Sequence, residues 1–158
     1  MQVNYTEPFI PTPEDVIPKM LLLASVMPDE TVYDLGSGDG RMLIAAARDF
    51  HAKAVGVDFR KRLVEECRRK VKEMGLSDRV KIVRRNFKQV SLRKADVIAT
   101  YLSSYTMNLL APKFIKELRP GTRIVNFDYP IPGWAPAREI EVIPVGWKKP
   151  HPVYLYVT

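Results

Sequence analysis

The strongest constraint on this chain is a strand that breaks into alternating glycines. Val32-Tyr33-Asp34-Leu35 runs into Gly36-Ser37-Gly38-Asp39-Gly40-Arg41, and a second short apolar run, Ala54-Val55-Gly56-Val57, ends in Asp58. Glycine removes the side-chain barrier to unusual backbone angles, so a strand can turn sharply there and let a ligand touch the main chain. A carboxylate at the tip of the next strand can accept two hydrogen bonds from a ribose diol, as in the nucleotide-binding halves of doubly wound sheets. Asp58 stands at that place. The spacing argues against a dinucleotide fingerprint, in which the third glycine follows the second by three; Arg41 occupies that position here. A purely structural glycine turn is the competing explanation, and Asp34 before the glycines together with Asp58 after the next strand weighs against it.

Around this motif the elements alternate. The opening Pro8-Phe9-Ile10-Pro11-Thr12-Pro13-Glu14 cannot be regular structure, since proline removes donors and pushes its predecessor toward extended angles. Thr12, Pro13, Glu14 and Asp15 read as an N-cap, a first-turn proline and first-turn acids, which predicts a helix to about Val26 with Pro18 inside it as a kink. Strands are expected at 31–35, 53–57, 80–83, 96–100 and 122–127, and helices at 41–50, 61–74 and 107–118. Residues 139–145 and 153–157 read as two strands around a turn at Gly146-Trp147-Lys148-Lys149-Pro150. Strand-helix alternation means a mostly parallel sheet with helices on both faces, here ending in an antiparallel hairpin.

Composition narrows the class. At 158 residues, 46% hydrophobic and 27% charged, the chain is expected to be one domain. Its first 28 residues are read as a proline-rich segment and helix covering the ligand site. The longest apolar run, Met20 to Ala24, is far short of a membrane span. Glu7 and Pro8 near the start do not fit a leader, so the expectation is cytoplasmic with no membrane partner. The single cysteine, Cys67, excludes an internal disulfide and reads as a half-buried helix residue. His51 and His151 each fall at an expected turn without neighbours suited to zinc, so no metal is expected.

The net charge of +7 is unevenly spread: residues 1–59 carry −5, residues 60–94 carry +10 and residues 95–158 carry +2. The basic block fits an acidic partner such as nucleic acid. It fits better a solvated helix face, since Glu65 and Glu66 lie near Arg62, Arg69 and Lys70 and no aromatic residue interleaves Arg60 to Lys72 for base stacking.

Asp34-Leu35-Gly36-Ser37-Gly38-Asp39-Gly40-Arg41 resembles the first motif of class I S-adenosylmethionine-dependent methyltransferases. More narrowly, Phe9-Ile10-Pro11-Thr12-Pro13-Glu14, Arg85-Asn86-Phe87, Arg119-Pro120-Gly121-Thr122-Arg123-Ile124-Val125, Gly133-Trp134 and Val153-Tyr154-Leu155-Tyr156-Val157 resemble the small archaeal protein lysine methyltransferases, relatives of mitochondrial lysine methyltransferases. The resemblance implies an α/β Rossmann-like fold with a seven-stranded, mostly parallel sheet. It also implies S-adenosylmethionine as cofactor, with S-adenosylhomocysteine as product.

Carried onto this chain, the resemblance implies that Gly36, Ser37, Gly38 and Gly40 wrap the methionine part of the cofactor. Asp58 holds the ribose, Asn86 and Phe87 lie at the adenine, and Thr12 and Pro13 close the methionine end. Asp34, Phe59 and Tyr101 complete the cofactor set. Tyr101, Asp128 and Trp134 are the expected catalytic residues, with Tyr129 beside them. The stretch Thr100-Tyr101-Leu102-Ser103 lacks the Asn/Asp-Pro-Pro-aromatic run of enzymes that methylate the adenine amino group. The implied activity is methylation of deprotonated lysine amines on a broad range of proteins, with chromatin proteins among the candidates, by an enzyme acting as a monomer and with no general base assigned. Its alternatives are an RNA methyltransferase and a noncatalytic cofactor-binding module associated with chromatin.

Overall fold

The computed structural model describes residues 7–158. Residues 7–13 are irregular, as the prolines require. The first helix, α1, spans Ile17–Leu23 rather than following an N-cap at Thr12 and running to about Val26. Val16 donates its N–H to the Pro13 carbonyl in a preceding turn, and Pro18 falls in the first helical turn, where its missing N–H costs nothing. The expected kink at Pro18 is therefore absent. Strand β1 (Thr31–Leu35) leads through the glycine loop into α2 (Arg41–Phe50), then β2 (Lys53–Asp58), α3 (Lys61–Glu73) and β3 (Val80–Arg84). After β4 (Val97–Thr100), α4 runs from Ser104 to Glu117, three residues earlier than expected, because the Ser103 hydroxyl caps it by accepting from the Thr106 N–H. Strands β5 (Arg123–Phe127), β6 (Arg138–Val142) and β7 (His151–Val157) complete the sheet.

The seven strands lie in the order β3-β2-β1-β4-β5-β7-β6. The first five are parallel; β7 pairs antiparallel with both β5 and β6, which makes the closing hairpin. Alternating side chains feed two apolar layers. One holds Val16, Met20 and Leu21 of the α1 region, Met42 to Ala47 of α2, and Val64, Cys67 and Val71 of α3. The other packs Met107, Leu110 and Phe114 of α4 against Tyr33, Ile98, Ile124 and Tyr156. Three helices cover one face and one covers the other, so the carboxyl ends of β1, β2, β4 and β5 all open on one rim. No described helix is long and apolar enough to cross a membrane.

Candidate active site

The rim holds two adjoining cavities that share Phe9, Ile10, Gly36 and Tyr101. The larger, about 560 Å3, is lined also by Asp58, Phe59, Arg60, Asn86, Phe87 and Leu102. The smaller, about 310 Å3, reaches Thr12, Asp34, Ser37, Asp39, Arg41 and Met42. Both follow from topology: β1 and β2 are hydrogen-bonded neighbours with Asp34 opposite Gly56, so the glycine loop and the tip of β2 meet.

Asp58 is buried and its carboxylate is fully engaged. Oδ2 accepts from the Gly38 N–H at 2.9 Å, Oδ1 accepts from the Arg60 N–H, and the Arg60 guanidinium donates to both oxygens at 2.9 Å. The same guanidinium lies 5.6 Å from the Phe9 ring centre and 5.4 Å from that of Phe59. Arg60 thus ties the N-terminal segment to the β2 tip, a role the sequence reading missed although Arg60 follows Asp58 by only two residues. Arg41 makes a second tie, donating to the Thr12 carbonyl at 3.1 Å while pairing with Asp39 at 2.8 Å. Glu7 makes a third across the rim, accepting from the Ser103 N–H and hydroxyl and from the Thr106 hydroxyl at the start of α4.

Charge in the smaller cavity is acidic. Burial, then the carboxylates of Asp58 and Asp39, push Asp34 up to about 8. For Asp39, burial works upward, but the hydrogen bond and charge of Arg41 outweigh it and hold the group below its ordinary value. The Ser37 hydroxyl oxygen is buried and has no partner among the described residues. A buried carboxyl under upward pressure and an orphaned hydroxyl suit the charged methionine end of S-adenosylmethionine, whose ammonium group would relieve the first and whose polar atoms would serve the second. The residues present fit the cofactor. Bound there, it would supply an electrophilic methyl group on a sulfonium.

Of the residues expected to touch it, Gly36, Asp58, Phe59, Asn86, Phe87 and Tyr101 line the larger cavity, and Thr12, Asp34 and Ser37 line the smaller. Asn86 also caps a short 3-10 turn, its Oδ1 accepting from the Lys88 N–H at 2.9 Å, which leaves its amide NH2 for a ligand. Pro13, Gly38 and Gly40 line neither cavity. Gly40 has φ +84, and a Cβ there would meet the Cys67 sulfur at 2.1 Å, so this glycine lets α3 close against the loop. At Gly38 a Cβ would meet the Phe9 ring at 2.2 Å. Cys67 is buried, and burial, with Asp34 and Asp39 adding to it, pushes its thiol up to about 12, so it is no nucleophile.

Beyond Tyr101 lies an aromatic group. Its ring centre is 4.8 Å from that of Phe127 and 6.2 Å from that of Tyr129, and Phe127 is 6.0 Å from Trp147. Burial and the nearby Asp128 push the Tyr101 hydroxyl up to about 12. Trp134 is elsewhere: the chain turns it into the α4 layer, 6.4 Å from Phe114 and 6.1 Å from Tyr156. The tryptophan beside Phe127 is Trp147, from the turn before β7, where sequence pattern alone shows no sign of a site. His151 accompanies it, with Nδ1 at 2.8 Å from Asp128 Oδ1. No metal-binding cluster of side chains occurs among the described residues.

Comparison with known proteins agrees with this geometry. Residues 34–138 match the ANTKMT methyltransferase domain. A protein-lysine N-methyltransferase of Saccharolobus islandicus is 42% identical over 151 residues, covering 95% of this chain and 92% of that protein. The mouse adenine nucleotide translocase lysine N-methyltransferase is 32% identical over 82% of this chain, which spans only 56% of the mouse protein. Among solved structures, an RNA methyltransferase from Salinibacter ruber in complex with S-adenosyl-L-homocysteine superimposes with a TM-score of 0.87 at 35% identity, covering 94% of this chain and 93% of that one. With its glycine loop, seven-strand order and rim cavities, the chain belongs to the ANTKMT methyltransferase domain family, within the class I S-adenosylmethionine-dependent methyltransferases.

Proposed function

We propose that this enzyme methylates the Nζ of exposed lysines on a broad range of proteins. The observation that carries the reading is the aromatic group at the ends of β4, β5 and β7, joined to the cofactor cavity through Tyr101 and bearing one carboxylate, Asp128. Rings accommodate the aliphatic stem of lysine and attract its ammonium, and the carboxylate adds to that attraction. Transfer from a sulfonium is an in-line displacement in which positioning does much of the work, so rigid walls around the amine nitrogen are the main requirement. Asp58 would accept from the ribose hydroxyls, with Arg60 giving up part of its claim on the carboxylate. Phe87 would pack on the adenine. The archaeal and mouse relatives, both lysine N-methyltransferases by name, support this substrate class.

A second reading, RNA methylation, is favoured by the name of the Salinibacter relative and by the basic residues 60–94. Part of that charge is paired: Lys61 with Glu65, Arg62 and Lys70 with Glu66, and Arg69 with Glu73 along α3, and Arg79 with Asp29 of the preceding segment. Such pairing is typical of a solvated helix face. Incubation with methyl-labelled S-adenosylmethionine, alongside mixed cellular protein and mixed cellular RNA, decides between them, with Asp58→Ala as control. Label on protein lysines is the expected result. Label confined to RNA overturns the lysine reading and makes the basic block the docking face.

A further inference from the structure

Asp128 and His151 form a pair that cofactor binding does not use. Asp128 follows β5 in a left-handed conformation, φ +73, and its N–H donates to the Pro152 carbonyl at 2.7 Å, so its backbone is pinned to the start of β7. Its Oδ1 lies 2.8 Å from Nδ1 of His151, the first residue of β7. A carboxylate only accepts, so Nδ1 carries the hydrogen and donates it, and Nε2 is left as the basic atom. Among the described residues Nε2 has no hydrogen-bond partner, and the side chain is 28% exposed, so a proton taken there has a route to water. The ring is held edge-on by Trp147 at 4.6 Å and sits 6.1 Å from Phe127, which itself touches Tyr101 at the wall of the cofactor cavity.

We propose that His151, oriented by Asp128, is the general base that takes the proton from the substrate lysine before methyl transfer. The proposal rests on the lysine reading above. In the step, one N–H bond of the lysine ammonium breaks and its proton goes to His151 Nε2. The freed lone pair forms the bond from Nζ to the methyl carbon, and the carbon–sulfur electron pair stays on sulfur. The lysine leaves as a methylammonium, and imidazolium returns its proton to water. The arrangement is a base oriented by an acid, the pairing that fixes a tautomer in other proton-transferring sites. The groups that face His151 are Asp128 from the turn after β5, the uncharged rings of Phe127 and Trp147, and Val142, its partner on β6. Tyr101 and Tyr154, whose hydroxyls burial and the Asp128 charge both push up, keep their protons at neutral pH.

Two variants test this. His151→Gln removes the base; Asp128→Asn keeps a side chain that tolerates the left-handed backbone, while its amide can donate to Nδ1 and move the ring hydrogen to Nε2. Single-turnover methylation of a synthetic one-lysine peptide, at saturating cofactor, is expected to fall ~100-fold in each variant at pH 7.5. The deficit is expected to shrink to several-fold at pH 9.5, because about a tenth of lysine side chains then lose the proton to water unaided. Without cofactor or turnover, 15N spectra of histidine-labelled wild-type protein are expected to show hydrogen on Nδ1 of His151, and those of Asp128→Asn hydrogen on Nε2. A wild-type ring with hydrogen on Nε2, or an equal loss at both pH values in variants that still bind S-adenosylmethionine, overturns the assignment. If His151→Gln fails to fold, Asp128→Asn alone decides. Variants as active as the wild type refute the base and leave the lysine reading intact; a wild type that labels only RNA refutes the reading itself.

Discussion

The cofactor half and the acceptor half of the site are built by opposite means. In the first, Asp34, Gly36, Ser37 and Asp58 come from two adjacent parallel strands and the loop between them, all within residues 34–58, and Asp34, Ser37 and Asp58 are buried. In the second, Tyr101, Asp128, Trp147 and His151 come from the ends of three different strands and one loop, and none is fully buried. A half that must fit one unchanging molecule is made of backbone, carboxylates and cramped glycines. The half proposed to receive the acceptor is made of rings on longer connections, where change costs the fold little.

Four measurements break or sharpen that contrast. The largest effect is expected from Gly40→Ala, whose new Cβ would lie 2.1 Å from the Cys67 sulfur at a φ of +84. Left-handed strain and overpacking together are expected to cost about 3 kcal/mol of unfolding free energy in urea titration. A loss under about 1 kcal/mol means that α3 yields and the cofactor half is not rigid. Next, Asp58→Ala is expected to weaken S-adenosylmethionine binding ~100-fold by calorimetry, through two lost charge-assisted hydrogen bonds. Unchanged affinity places the ribose elsewhere.

The two tryptophans form the third test. Trp134→Ala is expected to cost about 2 kcal/mol of stability and leave the acceptor KM alone, since Trp134 packs on Phe114 and Tyr156. Trp147→Ala is expected to raise that KM ~10-fold while stability stays within about 0.5 kcal/mol. The reverse pattern exchanges their roles.

The last test is a slope with pH. Asp34 has its pKa raised from 3.8 to about 8 by burial and by Asp58 and Asp39. Between those values the folded, cofactor-free protein keeps a proton that the unfolded chain has released. Stability therefore falls as pH rises across that window and levels off above it. Thermal melts across the window should show this for the wild type, and Asp34→Asn should flatten it. Parallel profiles for the two proteins refute the assignment.

How much was legible in the sequence differs between the halves for the same reason. Hydrophobic periodicity and the glycine loop place β1 at Thr31–Leu35 and α2 at Arg41–Phe50 as expected, because local spacing decides both. The start of α1 is not legible, because Pro13 and Pro18 fit a first helical turn equally well and the chain around Thr12 answers to Arg41 of the glycine loop instead. Two tryptophans near the hairpin look alike in sequence. Only the turn of the chain after β5, where Ile131 donates its N–H to the Tyr156 hydroxyl, sends Trp134 into the α4 layer and leaves Trp147 beside His151. The Asp128–His151 contact spans 23 positions and depends on β7 running antiparallel to β5, which no local pattern states.

That placement of β7 has a consequence for folding. Strand β5 pairs with β4 on one side and, among the described residues, with β7 alone on the other, and β6 joins the sheet through β7. Until β7 docks, the parallel strands leave β5 with an unpaired apolar edge, the kind of edge that recruits other strands. The strand that ends the finished sheet on this side, β6, carries Arg138, Glu139 and Glu141. Docking of β7 therefore replaces a sticky flank with a charged one, a poor template for a neighbouring chain.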